Sequence, residues 1–342
     1  MPELRRDPIT GSWVIIAVER SKRPSAYVIP RETKKEGLCP FCPGYEDQTP
    51  PEVFAIREPG TLPGHPGWRV RVVPNKFAAL VHEGEPYILT QDLYEARNGV
   101  GAHEVIIEDP QHLTSLPQQK ENQIELIFKT WRERFRELAK DERLAYTQIF
   151  KNHGQIAGSS LEHPHSQLIT TPIVPKTIQE EISGANEYYQ QHGKCIYCAV
   201  IAHEKAINKR MVACSKHFIA FCPYASRFPF ETWILPLNHQ HSFGEISDRQ
   251  ILDLSFLIKD FVTRLFTVLD NPPFNIVLHT SPYRYQKGVT NYHWHLEIFP
   301  RLTIVAGFEW GTGYFINPTA PESAAQYLQD NQPCSQEVKF HG

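Results

Sequence analysis

Nine short runs of the chain alternate apolar with polar residues or are dense in β-branched ones. They are WVIIAV (13–18), WRVRVV (68–73), EVIIE (104–108), AYTQIF (145–150), HSQLITT (165–171), HFIAFC (217–222), ETWILP (231–236), FNIVLHT (274–280) and HLEIF (295–299). Side chains of an extended backbone point to opposite faces in turn, so each run predicts a strand. Two longer stretches, 121–141 and 246–270, place apolar residues three and four apart and predict long amphipathic helices. Prolines cluster between these segments. EPGTLPGHPG (58–67) and the C-terminal end therefore read as connections and a loose tail.

The features come twice in the same order. CPFC (39–42), His103 beside a strand, a long helix, a strand and HPHSQ (163–167) are followed by CIYC (195–198), His239 in PLNH, the second helix, FNIVLHT and HWHLE (293–297). Two copies of one unit explain this better than two unrelated domains. The expected fold class is α+β, with the two copies side by side, their strands joined in one mainly antiparallel sheet and the long helices on one face. The first unit spans 1–171, a crossover carrying TPIVP spans 172–194, the second unit spans 195–320, and 321–342 is tail.

Composition narrows the setting. A chain of 342 residues suffices for about two ordinary domains. Its net charge of -3 argues against broad attraction to nucleic acid or an anionic membrane, so an anionic ligand must be held locally. No stretch approaches the roughly 20 apolar residues of a membrane helix, and MPELRRDPIT lacks the apolar core of a signal peptide, which makes the cytosol the expected compartment. There, thiolates serve as metal ligands or redox groups more often than as disulfides. Cys214, Cys222 and Cys334 form no pattern and read as ordinary thiols.

Each half offers two cysteines and two later histidines: Cys39, Cys42, His103 and His163, then Cys195, Cys198, His239 and His293. Thiolate and imidazole in sets of four suit zinc, and four protein ligands leave no open position, as in a structural ion. A redox pair is the competing reading of one CxxC, and the duplicated order argues against it. His295 and Glu297 compete with His293 as the last ligand; the repeat aligns His293 with His163 and selects it.

On a strand, His163, His165 and Gln167 point the same way. With His163 held by metal, His165 is fixed in place without being a ligand, which suits a nucleophile: neutral imidazole attacks phosphorus and leaves again. A backbone carbonyl accepting from Nδ1 of His165 would leave Nε2 free, and the amide of Gln167 could donate to a phosphate oxygen. Upstream, KNHGQIAGSS (151–160) can offer backbone N–H groups and the hydroxyls of Ser159 and Ser160 to phosphate. VERSKRP (18–24) supplies Arg20, Lys22 and Arg23, although a solvated basic turn is the simpler reading of that segment alone. His65, His82, His112, His192 and His341 sit in polar loops or tails and receive no role.

HPHSQ, preceded by FKNHGQIAGSS and accompanied by CPFC and GAHEVIIEDP, resembles the galactose-1-phosphate uridylyltransferase family of the histidine-triad superfamily. The likeness runs from ELRRDPITGSWVIIA, near residue 3, to AGFEWGTGYFINP, near residue 320. It implies a histidine-triad-like unit in each half, His165 as the residue uridylylated, and Gln167 where related hydrolases carry a third histidine. It further implies a zinc site at Cys39, Cys42, His103 and His163, phosphate contacts from Arg20 and Arg23, and Asn152 and Ser160 near the two phosphates. Asn75 would lie beside the nucleoside, and Phe308 and Glu309 would reach the hexose from the second subunit of a homodimer.

The implied reaction is a double displacement without an organic cofactor: UDP-glucose gives its uridylyl group to His165, and galactose 1-phosphate takes it. One departure is Lys76 in PNKFAAL, where many members carry an aspartate able to hold ribose hydroxyls. CIYC and GFEWGTGYFINP also resemble a branch that includes a plant ADP-glucose phosphorylase, which passes AMP from ADP-glucose to inorganic phosphate; that is the alternative activity. A histidine-triad nucleotide hydrolase is disfavoured because Gln167 offers no acid for the leaving group, and a zinc-stapled nucleic-acid binder because the chain is not basic.

Overall fold

The computed structural model of the chain describes residues 1–22, 38–112, 114–284 and 288–331. The strands of the first half are β1 (Glu3–Arg6), β2 (Trp13–Ile16), β3 (Phe54–Arg57), β4 (Trp68–Pro74), β5 (Ile88–Gln91), β6 (Tyr94–Arg97), β7 (Ala102–Ile107), β8 (Tyr146–His153) and β9 (His165–Thr171). Those of the second are β10 (Met211–Cys214), β11 (Phe218–Phe221), β12 (Thr232–Pro236), β13 (Phe274–His279), β14 (His295–Pro300) and β15 (Phe315–Asn317). Every run expected to be extended contains a strand. The helices are α1 (Glu121–Leu138), α2 (Lys176–His192), α3 (Ile196–Ile207), α4 (Asp248–Leu269), α5 (Gly307–Thr312) and α6 (Pro321–Asp330).

Ten strands make one sheet in the order β10-β11-β12-β14-β13-β8-β9-β7-β4-β3, each neighbouring pair antiparallel. The duplication is visible in that order. Each half lays down three strands, crosses through a long helix, and returns with two strands of which the last slots beside the third: β3-β4-β7-β9-β8 and β10-β11-β12-β14-β13. The two inner strands, β8 and β13, then pair with each other, with Phe150 opposite Val277 and Lys151 opposite Ile276. The seam removes one open edge from each half.

One face of the sheet carries α1 and α4. On α1 the buried set Ile124, Ile127, Phe128, Trp131, Phe135 and Leu138 follows helical spacing, and it joins Ile251, Leu254, Ile258, Phe261 and Leu265 of α4 in a core with Val72, Ile106, Ile149, Leu168, Ile276 and Leu296 of the strands. Burying one such side chain is worth roughly 1.5–3 kcal/mol. Six of them outweigh the tenths of a kcal/mol by which helix propensities differ. Ser247 caps α4, accepting from the backbone N–H of Gln250, whose side chain accepts from the N–H of Ser247. In β9, Leu168 joins this core and Ser166 accepts from Trp131 Nε1 at 2.9 Å. The pleat therefore turns His165 and Gln167 to the opposite face.

That opposite face is covered unequally. Over the second half lie α2 and α3, whose Ile178, Ile182, Tyr197 and Ile201 pack on Ile219, Phe221, Trp233 and Leu235. Over the first half, among the described residues, the buried apolar cluster is Trp68, Val73, Val105 and Ile107, with Phe41 packed against it. Gly184 lets α2 lie against the loop between β1 and β2: a Cβ there would stand 1.8 Å from the carbonyl oxygen of Ile9. One expectation changes. Within the crossover 172–194 most residues form the helix α2, and residues 321–330, expected as loose tail, form α6, whose Ala324, Ala325 and Leu328 enter the main core. The rest of the tail, 332–342, lies outside the described residues.

From α2, Glu181 enters a buried ionic cluster. His279 Nδ1 lies 2.9 Å from Glu181 Oε1 and its Nε2 3.5 Å from Glu297 Oε2, Tyr292 donates to Glu181 at 2.6 Å, and Arg227 donates to Glu297 at 2.5 Å. Burial alone would lower the pKa of His279; the carboxylates of Glu181 and Glu297 outweigh it and hold the value at about 9. Because this lies above the unfolded value of about 6.5, the stabilisation is fully present below that pH and is lost as pH rises through about 9. Thermal unfolding between pH 7 and pH 10 should show Tm falling across this window, as stability drops by on the order of 3 kcal/mol. His279→Gln should start lower and fall less; parallel curves for the two proteins would refute the assignment.

Candidate active site

β9 begins at His165, so His163 lies just ahead of the strand, beyond Pro164. Its ring is fully buried and is used at both nitrogens. Nε2 donates to the carbonyl of Asp109 at 2.7 Å, while Nδ1 stands 3.7 Å from Cys39 Sγ and 3.7 Å from Cys42 Sγ. The fourth member of this group is His112, its Nδ1 3.2 Å from Cys42 Sγ, and the four donor atoms lie within 4.8 Å of one another. A tetrahedral ion with the usual Zn–S and Zn–N bonds needs donor separations of about 3.5 Å. Burial also lowers His163 to about 4, keeping its ring neutral as a ligand must be. The donor set therefore fits zinc, with His163 oriented by the carbonyl behind it.

His103, expected as a ligand, is not part of this set. Register explains why: Ile107 lies opposite His165, and His103 lies opposite Ile169, four residues further from the cysteines. At about 3.3 Å per residue that is roughly 13 Å along the strand. The ring of His103 instead meets Gln167 Oε1 at 2.9 Å and Asn75 Nδ2 at 3.0 Å through Nε2. His112, dismissed as a loop residue, was signalled by the repeat, since His239 also follows the end of a strand and a proline, as His112 follows β7 and Pro110.

The second group is gathered as the repeat proposed. Cys195 caps α3 and Cys198 lies in its first turn; Cys198 Sγ is 3.6 Å from His239 Nδ1 and 3.7 Å from His293 Nδ1. Each imidazole donates Nε2–H to a carbonyl, His239 to Thr290 at 2.8 Å and His293 to Pro236 at 2.9 Å, leaving Nδ1 for the ion.

His165 Nδ1 donates to the carbonyl of His163 at 2.8 Å, and burial lowers its pKa, so its ring is neutral with the lone pair on Nε2. It lines a groove of about 510 Å³ with Asn152, Gly154, Gln155, Ser159, Ser160 and Glu162, faced by Thr114, Ser115, Phe266 and Asn271. Lys151, paired with Glu108, donates to the carbonyl of His165 at 3.3 Å. The glycine loop is closed on itself: the N–H groups of Ala157 and Ser159 donate to Gly154, that of Gly158 to Gln155, and Ser159 Oγ to Leu161. Those amides are spent within the turn, contrary to the expected phosphate cradle. Asn152 accepts from Asn275 through Oδ1 at 2.7 Å, which leaves its NH2 as the donor end.

The other expected residues are dispersed. Gln167 stands on the same face as His165, outside the groove lining. Arg20 is exposed in the turn Val18–Lys22 and is not among the groove's lining residues, and Arg23 lies outside the described residues. Phe308 and Glu309 sit on α5, which buries none of its residues, and Glu309 accepts from the N–H of Ala306. In the second half His295 repeats the bond of His165, its Nδ1 3.1 Å from the carbonyl of His293, yet it is fully buried among Tyr197, Trp233, Tyr292 and His279. The duplicated fold thus opens only the first copy of this motif to the groove.

Comparison with known proteins accords with this geometry. Residues 1–175 match the galactose-1-phosphate uridyl transferase N-terminal domain and residues 181–312 its C-terminal domain. The chain is 35% identical to ADP-glucose phosphorylase of Arabidopsis thaliana over 96% of its length and 93% of that protein. It is 29% identical to galactose-1-phosphate uridylyltransferase of Thermotoga maritima, over 97% of its length and 99% of that protein. The crystal structure of the Arabidopsis thaliana ADP-glucose phosphorylase with bound ADP-glucose superposes with a TM-score of 0.83, covering 96% of this chain and 99% of that one at 35% identity. A uridylyltransferase structure superposes with a TM-score of 0.75 at 30% identity, covering 97% and 98%.

Metal analysis of the purified chain should find two ions. His112→Ala should lose one of them and lower Tm, whereas His103→Ala should keep both. A loss in His103→Ala with none in His112→Ala would overturn the ligand set.

Proposed function

Since the chain belongs to the galactose-1-phosphate uridyl transferase family, we propose that it transfers a nucleoside monophosphate through a covalent intermediate on His165. Nε2 attacks the α-phosphorus of a nucleoside diphosphate sugar, an N–P bond forms, the P–O bond to the sugar phosphate breaks, and sugar 1-phosphate leaves. An acceptor phosphate oxygen then attacks the same phosphorus and frees His165. The observation that carries this reading is the bond from His165 Nδ1 to the His163 carbonyl at 2.8 Å, which assigns the lone pair to Nε2 in a residue lining the groove. Ser160 and the NH2 of Asn152 supply donors there, and Gln167 answers charge on the phosphoryl oxygens. Both Cys2His2 groups hold zinc with no open position, a structural role that fixes the entry to β9 and the start of α3. Exposed Phe308 and half-buried Glu309, on α5, reach the sugar of a second copy of the chain in a homodimer.

The adenylyl reading is favoured for the donor: ADP-glucose with inorganic phosphate as acceptor. It is supported by the 35% identity to the Arabidopsis thaliana enzyme against 29% for the Thermotoga maritima uridylyltransferase, over nearly the same span. Exposed Lys76, directly after Asn75, is a further departure from the uridylyl pattern. UDP-glucose with galactose 1-phosphate is the second reading, supported by the two matched domains.

Intact mass spectrometry tests both at once. Mixed with ADP-glucose and no acceptor, the protein should gain one adenylyl group, which inorganic phosphate then removes. With UDP-glucose the gain should be slower by at least about tenfold, roughly 1.4 kcal/mol in the barrier. A faster uridylyl adduct, discharged by galactose 1-phosphate, selects the second reading. His165→Ala should form neither adduct, and labelling of that variant would overturn the mechanism.

A further inference from the structure

His103, freed from the metal site, has a surrounding that fixes its protonation. The backbone N–H of Ala79 donates to its Nδ1 at 3.1 Å, and a peptide N–H cannot accept, so Nδ1 carries the lone pair and Nε2 the hydrogen. Nε2–H then has one acceptor within reach, Gln167 Oε1 at 2.9 Å. This determines an orientation that a side-chain amide does not determine by itself: the carbonyl end of Gln167 is held inward, and its NH2 is the free end on the face it shares with His165. Among the described residues that NH2 has no partner.

The same imidazole acts on a second amide. Asn75 Oδ1 accepts from the N–H of Phe77 at 2.9 Å, so Nδ2 is the end that stands 3.0 Å from the protonated nitrogen of His103. Two donors face each other there, so among the described residues the hydrogens of Asn75 have no acceptor. The segment Asn75–Ala79 is wrapped around His103 by a further bond, Asn75 N–H to the His103 carbonyl at 2.8 Å.

Resting on the nucleotidyl-transfer reading, we infer that His103 is a positioning residue that turns the NH2 of Gln167 toward the phosphoryl group on His165. A donor held in place before charge develops costs no reorganisation at the moment of reaction. An amide without that partner can turn its oxygen toward the phosphate, which repels it, and must be reordered against solvent as charge develops.

The test is a double-mutant cycle on the rate of adduct formation from ADP-glucose, followed by quenched mass spectrometry. Gln167→Ala should slow the step by about 10²-fold, the usual cost of one such donor. His103→Ala should slow it by about tenfold or more while donor affinity, measured by calorimetry, stays within about twofold. In the double variant the loss should equal that of Gln167→Ala alone, because His103 acts through Gln167. His103→Gln, whose own NH2 can donate to Gln167 Oε1, should recover most of the rate. Multiplying losses in the double variant, or an unchanged His103→Ala, would sink the inference while leaving the wild-type adduct and the His165 mechanism intact. Independently of activity, ¹⁵N shifts of His103 should show a protonated Nε2 and an unprotonated Nδ1; the opposite tautomer would also overturn it.

Discussion

One buried imidazole, His163, ties the site together. Its Nδ1 faces the two thiols, its Nε2 donates to Asp109, and its carbonyl accepts from His165. Each bond settles something different. The first anchors the chain just ahead of β9, the second fixes which nitrogen is left for a metal, and the third fixes which nitrogen of the next histidine is left for chemistry. His163 thereby sets the tautomer of His165, the proposed nucleophile. Packing could not do this alone, because apolar contacts are indifferent to where a proton sits.

The unequal cover of the sheet explains why coordination is placed there. The groove beside His165 is not roofed by helices, and the open face of the first half buries few apolar residues. Loops over such a face have little hydrophobic energy to hold them, and a metal on the candidate set Cys39, Cys42, His112 and His163 would replace it. The second half makes the opposite choice. There α2 and α3 close the face, His295 keeps the backbone bond of its counterpart, and Glu181 and Glu297 are buried on that face. Carboxylates are costly to bury unless cations accompany them, and Arg227 and His279 are those cations.

The strands, the two long helices and the duplicated order were legible because each rests on local periodicity, and HPHSQ because alternation on one strand is local too. What escaped depended on partners far away in sequence. α2 reads as KTIQEEISGANEYYQQH, polar at most positions and interrupted by Gly184, and only the arrival of β1–β2 and β11–β12 makes its few isoleucines a buried stripe. Residues 321–330 look like tail until α4 offers a surface for Ala324 and Leu328. His103 and His112 were exchanged for a different reason. Both flank the same strand, and composition cannot say which end of β7 meets His163; strand register can, and the second copy already held the clue in the position of His239 after β12.

That exchange bears on how one site can serve a donor and an acceptor in turn. In the proposed double displacement both half-reactions pass through the same phosphorus on the same nitrogen, so whatever stabilises the phosphoryl oxygens must be equally placed for attack by imidazole and for attack by the acceptor. A mobile donor would have to be reoriented twice per turnover, at the entropic cost of fixing a side chain each time. With His103 accepting from Ala79 and donating to Gln167, the orientation is a property of the folded chain and is the same in both halves. Strand geometry adds the remaining constraint. His165 and Gln167 are two residues apart on one pleated strand, a separation of about 7 Å that neither half-reaction alters. A phosphoryl group held between them is therefore addressed from fixed points, and the groove has only to exchange what leaves and what enters.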